Sequence, residues 1–148
     1  MRIIRTVCGL AILAFAGLPA FAQQPGTAVE AKAMLEKVVT DVKANKAKTL
    51  QDITAGTYND KDLYPFCGGP DGKLTAHGAK KSLVGESLKD LKDQTGKAFG
   101  AEFYKVAQPG KFAEVAYMFP KPGGTTPEPK ESYITKVDDQ VCGVGYYK

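Results

Sequence analysis

Arginine is almost missing from this chain: Arg2 and Arg5 are its only two. Beyond them no guanidinium fork is available to grip a carboxylate or phosphate in two places. Any anion held there must meet lysine, tyrosine, histidine or backbone amides. Histidine occurs once, as His77. A lone histidine with no Cys/His/Asp cluster at ligand spacing makes no metal site. C-x-x-C-H is lacking, so covalent haem is excluded, and so are G-x-S-x-G, a catalytic Cys-His pair, the P-loop and H-E-x-x-H. Asp90 and Asp93 have helix spacing but sit among turn residues, where caps are their ordinary use. An enzyme is not expected, and no cofactor is implied. The net charge of +4, from 20 basic and 16 acidic residues, is too mild and too dispersed for nucleic acid or a membrane surface.

What is present begins with a leader. Arg2 and Arg5 precede an apolar run from Val7 to Leu18, and Ala20-Phe21-Ala22 has the small-x-small form of a cleavage site. This reads as a secretory signal peptide over residues 1–22, cut after Ala22, and puts the chain in the periplasm or outside the cell. The run is short for a membrane span and is broken by Gly17 and Pro19. Cys8 lies at its start rather than after it and is not placed to take a lipid. Both arginines leave with the leader, and a chain of one-domain length remains. Cys67 and Cys142 also remain. An exported chain with an even cysteine count suggests a disulfide, which would contribute roughly 4 kcal/mol on chain-entropy grounds. Two free thiols are the alternative.

Residues 23–27 read as a mobile polar leader. Thr27-Ala28-Val29-Glu30 matches a capping box, and Ala31, Met34, Leu35, Val38 and Val42 recur at helical spacing. The expectation is a helix from Ala28 to Ala44, then a shorter one from Asn45 through Ile53 that Gly56 ends. Leu63–Cys67 and Lys73–His77 form a hairpin around Gly68–Gly72. A turn-rich stretch follows, through Leu83–Leu88 and Asp93–Lys97. Ala98–Gln108 is helical, with Phe99, Phe103 and Val106 inward, and Pro109-Gly110 stops it. Strands are expected over 112–119, 130–137 and 141–147. Gly143 and Gly145 thin the last of them and let a helix or ligand approach the backbone.

The stretch Tyr117–Tyr133 holds four prolines and two glycines. Prolines resist ladder pairing, so it reads as a stiff loop between two strands. Held in one shape at little entropic cost, such a loop suits the wall of a small-molecule pocket. Tyr117, Phe119, Lys130 and Tyr133 stand near its ends. A plain hairpin loop is the alternative. Helix, hairpin, helix and three-stranded meander make this an α+β chain with helices on an antiparallel sheet.

Several pieces together resemble single Cache domains of type 2, PAS-like extracytoplasmic ligand sensors. They are Leu63-Tyr64-Pro65-Phe66-Cys67, Asp71-Gly72-Lys73-Leu74-Thr75-Ala76-His77, Leu83-Val84-Gly85-Glu86-Ser87-Leu88 and Leu91-Lys92-Asp93-Gln94-Thr95-Gly96-Lys97. Phe119-Pro120-Lys121-Pro122-Gly123, Pro129-Lys130-Glu131-Ser132-Tyr133 and Gly143-Val144-Gly145-Tyr146-Tyr147 complete the set. The match runs from Ala28 to Tyr147, and order and spacing carry it rather than any one piece. The chain departs from the family pattern at Gly78, Phe119 and Cys67. A single Cache domain over 28–148 is implied, with a long N-terminal helix on a five-stranded sheet of order 2-1-5-4-3. In that order Cys67 ends strand 1 beside the start of strand 5, where Cys142 lies, so a disulfide is reachable.

The resemblance also implies a pocket for a small metabolite, commonly an organic acid. Lys130 is the residue it places against a ligand carboxylate; a surface lysine is the alternative. Tyr117 and Phe119 share a face and would close the pocket or fill the core. Tyr64 and Phe66 would floor it or pack. His77 would hydrogen-bond a ligand or finish a strand. Lys130 and Tyr133 point to opposite faces of a regular strand, so both line one pocket only if the backbone bulges. The expected function is a periplasmic sensory domain that takes up a small metabolite and acts through a separate partner, such as a membrane-bound sensor. The alternative is a ligand-free interaction domain that binds such a sensor or itself.

Overall fold

The computed structural model describes residues 24–148. The signal peptide expected over 1–22 lies outside the described residues. Helix α1 spans Ala28–Ala55 and starts with the anticipated capping box. Thr27 Oγ1 accepts from the Glu30 N–H at 3.2 Å, and the Glu30 carboxylate accepts from the Thr27 N–H at 2.8 Å. Asn45 leaves the helical region, at φ −157° and ψ 86°, and breaks α1 into two segments. Its side chain caps the second, accepting from the Lys48 N–H at 3.1 Å. Gly56 ends the helix in the left-handed conformation, φ 82°. Ala31, Leu35, Val38, Val42, Thr49 and Ile53 form its buried stripe.

Strands β1 (Pro65–Gly68), β2 (Leu74–His77), β3 (Ala113–Pro120), β4 (Pro127–Val137) and β5 (Gln140–Tyr147) form one antiparallel sheet of order β2-β1-β5-β4-β3. That is the expected order. Cys67 opposes Cys142 in the β1–β5 register, and the two form a disulfide across 75 residues. On one sheet face α1 packs against Cys67, Ala76, Cys142 and Val144. The other face carries Phe66, Leu74, Val115, Tyr117 and Ile134 beneath helix α2 (Phe99–Val106).

Two expectations need correction. The proline-rich stretch is mostly ladder: β3 and β4 pair continuously from Ala113↔Ile134 to Pro120↔Pro127, so only residues 121–126 form the loop. Position removes the proline penalty. β3 is an edge strand, so Pro120 can sit at its end. The Pro129 carbonyl accepts from the Lys148 N–H, on the side where β5 runs out. The Pro127 and Pro129 nitrogens face that same side, past the end of β5 at Tyr147, so no β5 carbonyl loses a donor. The second correction concerns the leader. Gly26 is buried, its N–H donating to Asp62 Oδ1 at 2.6 Å, and a Cβ there would lie 2.2 Å from the Leu63 side chain.

A strap of residues 78–98 crosses the second sheet face and seals both sheet edges. At the β2 edge it is held by main chain: Leu74 N–H to Glu86 O at 2.9 Å, Gly85 N–H to Leu74 O at 2.8 Å, and Leu88 N–H to Gly72 O at 2.8 Å. At the β3 edge it is held by side chains. Asp93 Oδ2 accepts from the Met118 N–H at 3.0 Å, and Lys97 Nζ donates to the Ala116 carbonyl at 2.5 Å. Asp93 Oδ1 also gathers Thr95 and Lys97 N–H groups, and these bonds with Thr95 and Met118 hold its carboxyl down at about 2.

Asp93→Ala should leave the Met118 N–H without an acceptor. Its hydrogen exchange should speed up tenfold or more, while that of Leu74 stays slow. Reduction of the Cys67–Cys142 bond should lower stability by roughly 2–5 kcal/mol, measured by urea unfolding with and without reductant.

Candidate functional site

The strap, α2 and the second sheet face enclose a cavity lined by Tyr64, Phe66, His77, Tyr117, Phe119 and Lys130. Leu74, Leu83, Leu88, Leu91, Phe99 and Phe103 complete its wall. Six of the seven residues singled out in the sequence for ligand contact therefore meet here. Tyr133 does not. β4 pairs in unbroken register with both neighbours, so period two holds and Tyr133 faces α1, beside Tyr146 at 6.2 Å. The bulge that would have turned it inward is not formed.

Lys130 is the centre of the site. It lies on β4 opposite Tyr117 of β3 and Tyr147 of β5, and is 1% exposed. Gly145 makes room for it: a Cβ there would lie 2.4 Å from Lys130 Cε. Likewise a Cβ at Gly143 would meet the Phe66 ring at 2.6 Å. The close approach expected at these glycines is thus made by the protein's own side chains.

The Lys130 ammonium carries three donors, and one is used, at 2.8 Å to the Tyr64 hydroxyl. The ring centroids of Tyr64, Tyr147 and Phe119 lie 4.0, 5.0 and 5.4 Å away. Their negative faces offset part of the charge. Among the described residues no carboxylate pairs with it. Burial pushes its pKa down to about 7, opposed only weakly by Asp62.

His77 is held at one nitrogen. Its Nδ1 accepts from the backbone N–H groups of Ala79 and Lys80, at 3.2 and 2.9 Å. Nδ1 is therefore the bare nitrogen, and the single proton sits on Nε2. Burial first, then the charges of Lys130 and Lys80, push its pKa down to about 3, so it is neutral. Tyr117 shares a buried hydrogen bond of 2.9 Å with Ser132, and its ring stacks on Phe99 at 4.4 Å. Tyr64 and Tyr117 are both pushed well above ordinary tyrosine values by burial.

Sequence reasoning missed Ser132, Tyr147 and the strap leucines as parts of the site. Ser132 was legible by period two from Lys130. Leu83, Leu88 and Leu91 gave no periodic signal because the strap has almost no regular structure. Phe99 and Phe103 were read as inward helix residues, and the inside they face proves to be the cavity.

The space left is small, about 20 Å³, enough for a single water. A larger open groove of about 740 Å³ runs along α1 past Lys37, Asp41, Lys48 and Tyr58. Most of its charges are already paired, Lys37 with Asp41 at 2.8 Å and Lys48 with Asp52 at 2.5 Å, and Asp60 is exposed. It offers no unpartnered buried group, so the chemistry lies in the smaller space. Among the described residues there is no group of three or more possible metal ligands. Nor is any described helix long and apolar enough to cross a membrane.

The Cache domain family model matches residues 29–146. A methyl-accepting chemotaxis protein from Vibrio parahaemolyticus RIMD 2210633 is similar in structure, with a TM-score of 0.67 and 30% identity over 80% of this chain and 86% of that one. A periplasmic sensor domain of a chemotaxis protein has a TM-score of 0.63 at 24% identity, covering 78% and 86%. A Cache chemosensory domain described for carboxylic acid recognition has a TM-score of 0.58 at 21% identity, covering 78% and 84%; these last two show the fold alone.

The depressed Lys130 pKa sets a pH dependence of stability. Between about 7 and the ordinary lysine value the unfolded chain binds the extra proton, so this group makes stability rise with pH across that window. Unfolding of the wild type and of Lys130→Met from pH 7 to 9.5 should show this rise in the wild type only. Lys130→Met should be as stable as the wild type at pH 7 or more so, because it replaces an unpaired buried charge by an apolar chain of similar length.

Proposed function

This chain belongs to the Cache domain family, and on that premise we propose that it is a periplasmic sensory domain that binds a small organic acid. The observation that carries the reading is Lys130: a buried ammonium, 1% exposed, in an aromatic enclosure without a carboxylate partner. A ligand carboxylate supplies the missing countercharge and takes up the two unused donors. The carboxylic acid recognition described for one structural neighbour is consistent with this chemistry. Binding requires the strap to shift, because about 20 Å³ is too little for an organic acid. Strap movement is then the change a partner reads, and the chemotaxis receptors among the similar structures suggest a membrane-bound signalling partner. The leader peptide and the family's extracytoplasmic setting support export.

The nearly filled cavity favours a second reading, a ligand-free interaction domain. A thermal-shift screen of small carboxylates on the mature protein separates the two. A ligand at a hundred times its Kd stabilises by about 2.7 kcal/mol, a shift of several degrees. Lys130→Met should abolish the shift while remaining folded. If no carboxylate moves the melting point, and a membrane sensor is captured from periplasmic extract regardless of added ligand, the interaction reading replaces this one.

A further inference from the structure

The open groove of about 740 Å³ along α1 lies across the sheet from the cavity, and the sensory reading makes no use of it. Its charges follow a pattern. Lys37, Asp41, Lys48 and Asp52 line it, at spacings that keep side chains on one helix face. Asn45 breaks the helix midway along this stripe. Asp41 and Lys48 stand equally far from the Ala44–Asn45 junction on either side, and so do Lys37 and Asp52. Each of these matched positions carries the opposite sign to its counterpart. A half-turn about the junction therefore brings every charge onto its complement. Ala44 and Asn45 at the centre are exposed, and Ala44 is small enough to let a second helix come close.

We propose that the groove is the contact face of a symmetric homodimer, in which α1 of a second copy lies antiparallel, with the two-fold axis at the Ala44–Asn45 junction. Lys37 meets the partner's Asp52 and Asp41 meets the partner's Lys48, and the two-fold axis repeats both contacts. The pairs within each copy, Lys37–Asp41 and Lys48–Asp52, do not have to break. Carboxylates have lone pairs to spare and ammonium groups have donors, so the charges join into a network, and networks hold where isolated exposed pairs do little. Parallel docking would set Lys37 on Lys37 and Asp52 on Asp52, which repel. An antiparallel crossing centred on Val39 also alternates the signs, but it leaves Asp52 unmatched. The contact is short, because the helix runs only roughly 22 Å from Lys37 to Asp52. Its area falls at the low end for specific interfaces, so the dimer is weak.

The test is sedimentation equilibrium of the mature protein at low salt, from about 10 μM to about 1 mM, the range a weak interface calls for. The wild type should pass from monomer to dimer as concentration rises. Lys37→Glu and Asp52→Lys each set like charges against each other at both ends of the contact, and each should weaken the dimer tenfold or more. Mixed in equal amounts, the two variants bring opposite charges together again at every contact and should associate at least as strongly as the wild type. Lys37 is exposed and Asp52 half-buried, so both variants should keep the wild-type circular dichroism. Lys48→Glu, which faces the partner's Asp41, should weaken the dimer in the same way and serves if either of the first two fails to fold. A wild type that stays monomeric throughout, a folded variant that dimerises like the wild type, or a mixture that does not recover association overturns the proposal. None of these outcomes touches the organic-acid reading, because the groove and the cavity lie on opposite faces of the sheet.

Discussion

A lysine ammonium sits where the protein supplies one hydroxyl, three aromatic faces and, among the described residues, no paired acid. Burying a charge without an ion partner runs against the general preference of folded proteins, and the fold keeps it through local compensation. Burial lowers the Lys130 pKa to about 7, so near neutrality the group is divided between ammonium and amine. The quadrupoles of Tyr64, Tyr147 and Phe119 soften the remaining charge. Gly145 carries no side chain and leaves a lane across β5 for the lysine stem. Together these features let the head of Lys130 stay inside.

The rest of the architecture supports that position. A disulfide joins β1 to β5, the strands bearing Tyr64's neighbour Pro65 and Gly145. The kinked α1 covers the opposite face, so the sheet is filled from behind and the second face is free to be hollow. His77 closes one side as a neutral ring whose tautomer is fixed by two backbone amides. Strap and α2 are locked together: the Gly100 N–H donates to the Leu91 carbonyl, and a Cβ at Gly100 would meet the Leu88 carbonyl oxygen at 1.9 Å. No residue larger than glycine fits there.

Much of this was legible in the sequence, and what was not has a physical cause. The capping box at Thr27, the break at Asn45 and the stop at Gly56 are local chemistry, and each is found where the residues place it. The alternation through Val115 and Tyr117 gave β3 its inward face. Pro120, Pro127 and Pro129 misled because their effect depends on which ladder side faces a neighbour, a tertiary property that no window of sequence contains. Tyr133 was excluded by plain period two once β4 proved free of a bulge. Lys130 could be a pocket residue or a surface lysine on composition alone; its burial is decided by Gly145 on another strand.

The strap's two anchorages differ in kind, and this gives the cover a hinge and a free edge. Bonds between main-chain groups at β2 are indifferent to ionic strength. The Lys97 and Asp93 contacts at β3 rest on half-buried charged side chains, which dissolved ions weaken in part. Salt therefore loosens the cover on its β3 side, beside Tyr117 and Phe119, and leaves the side at Gly72 and Leu74 held.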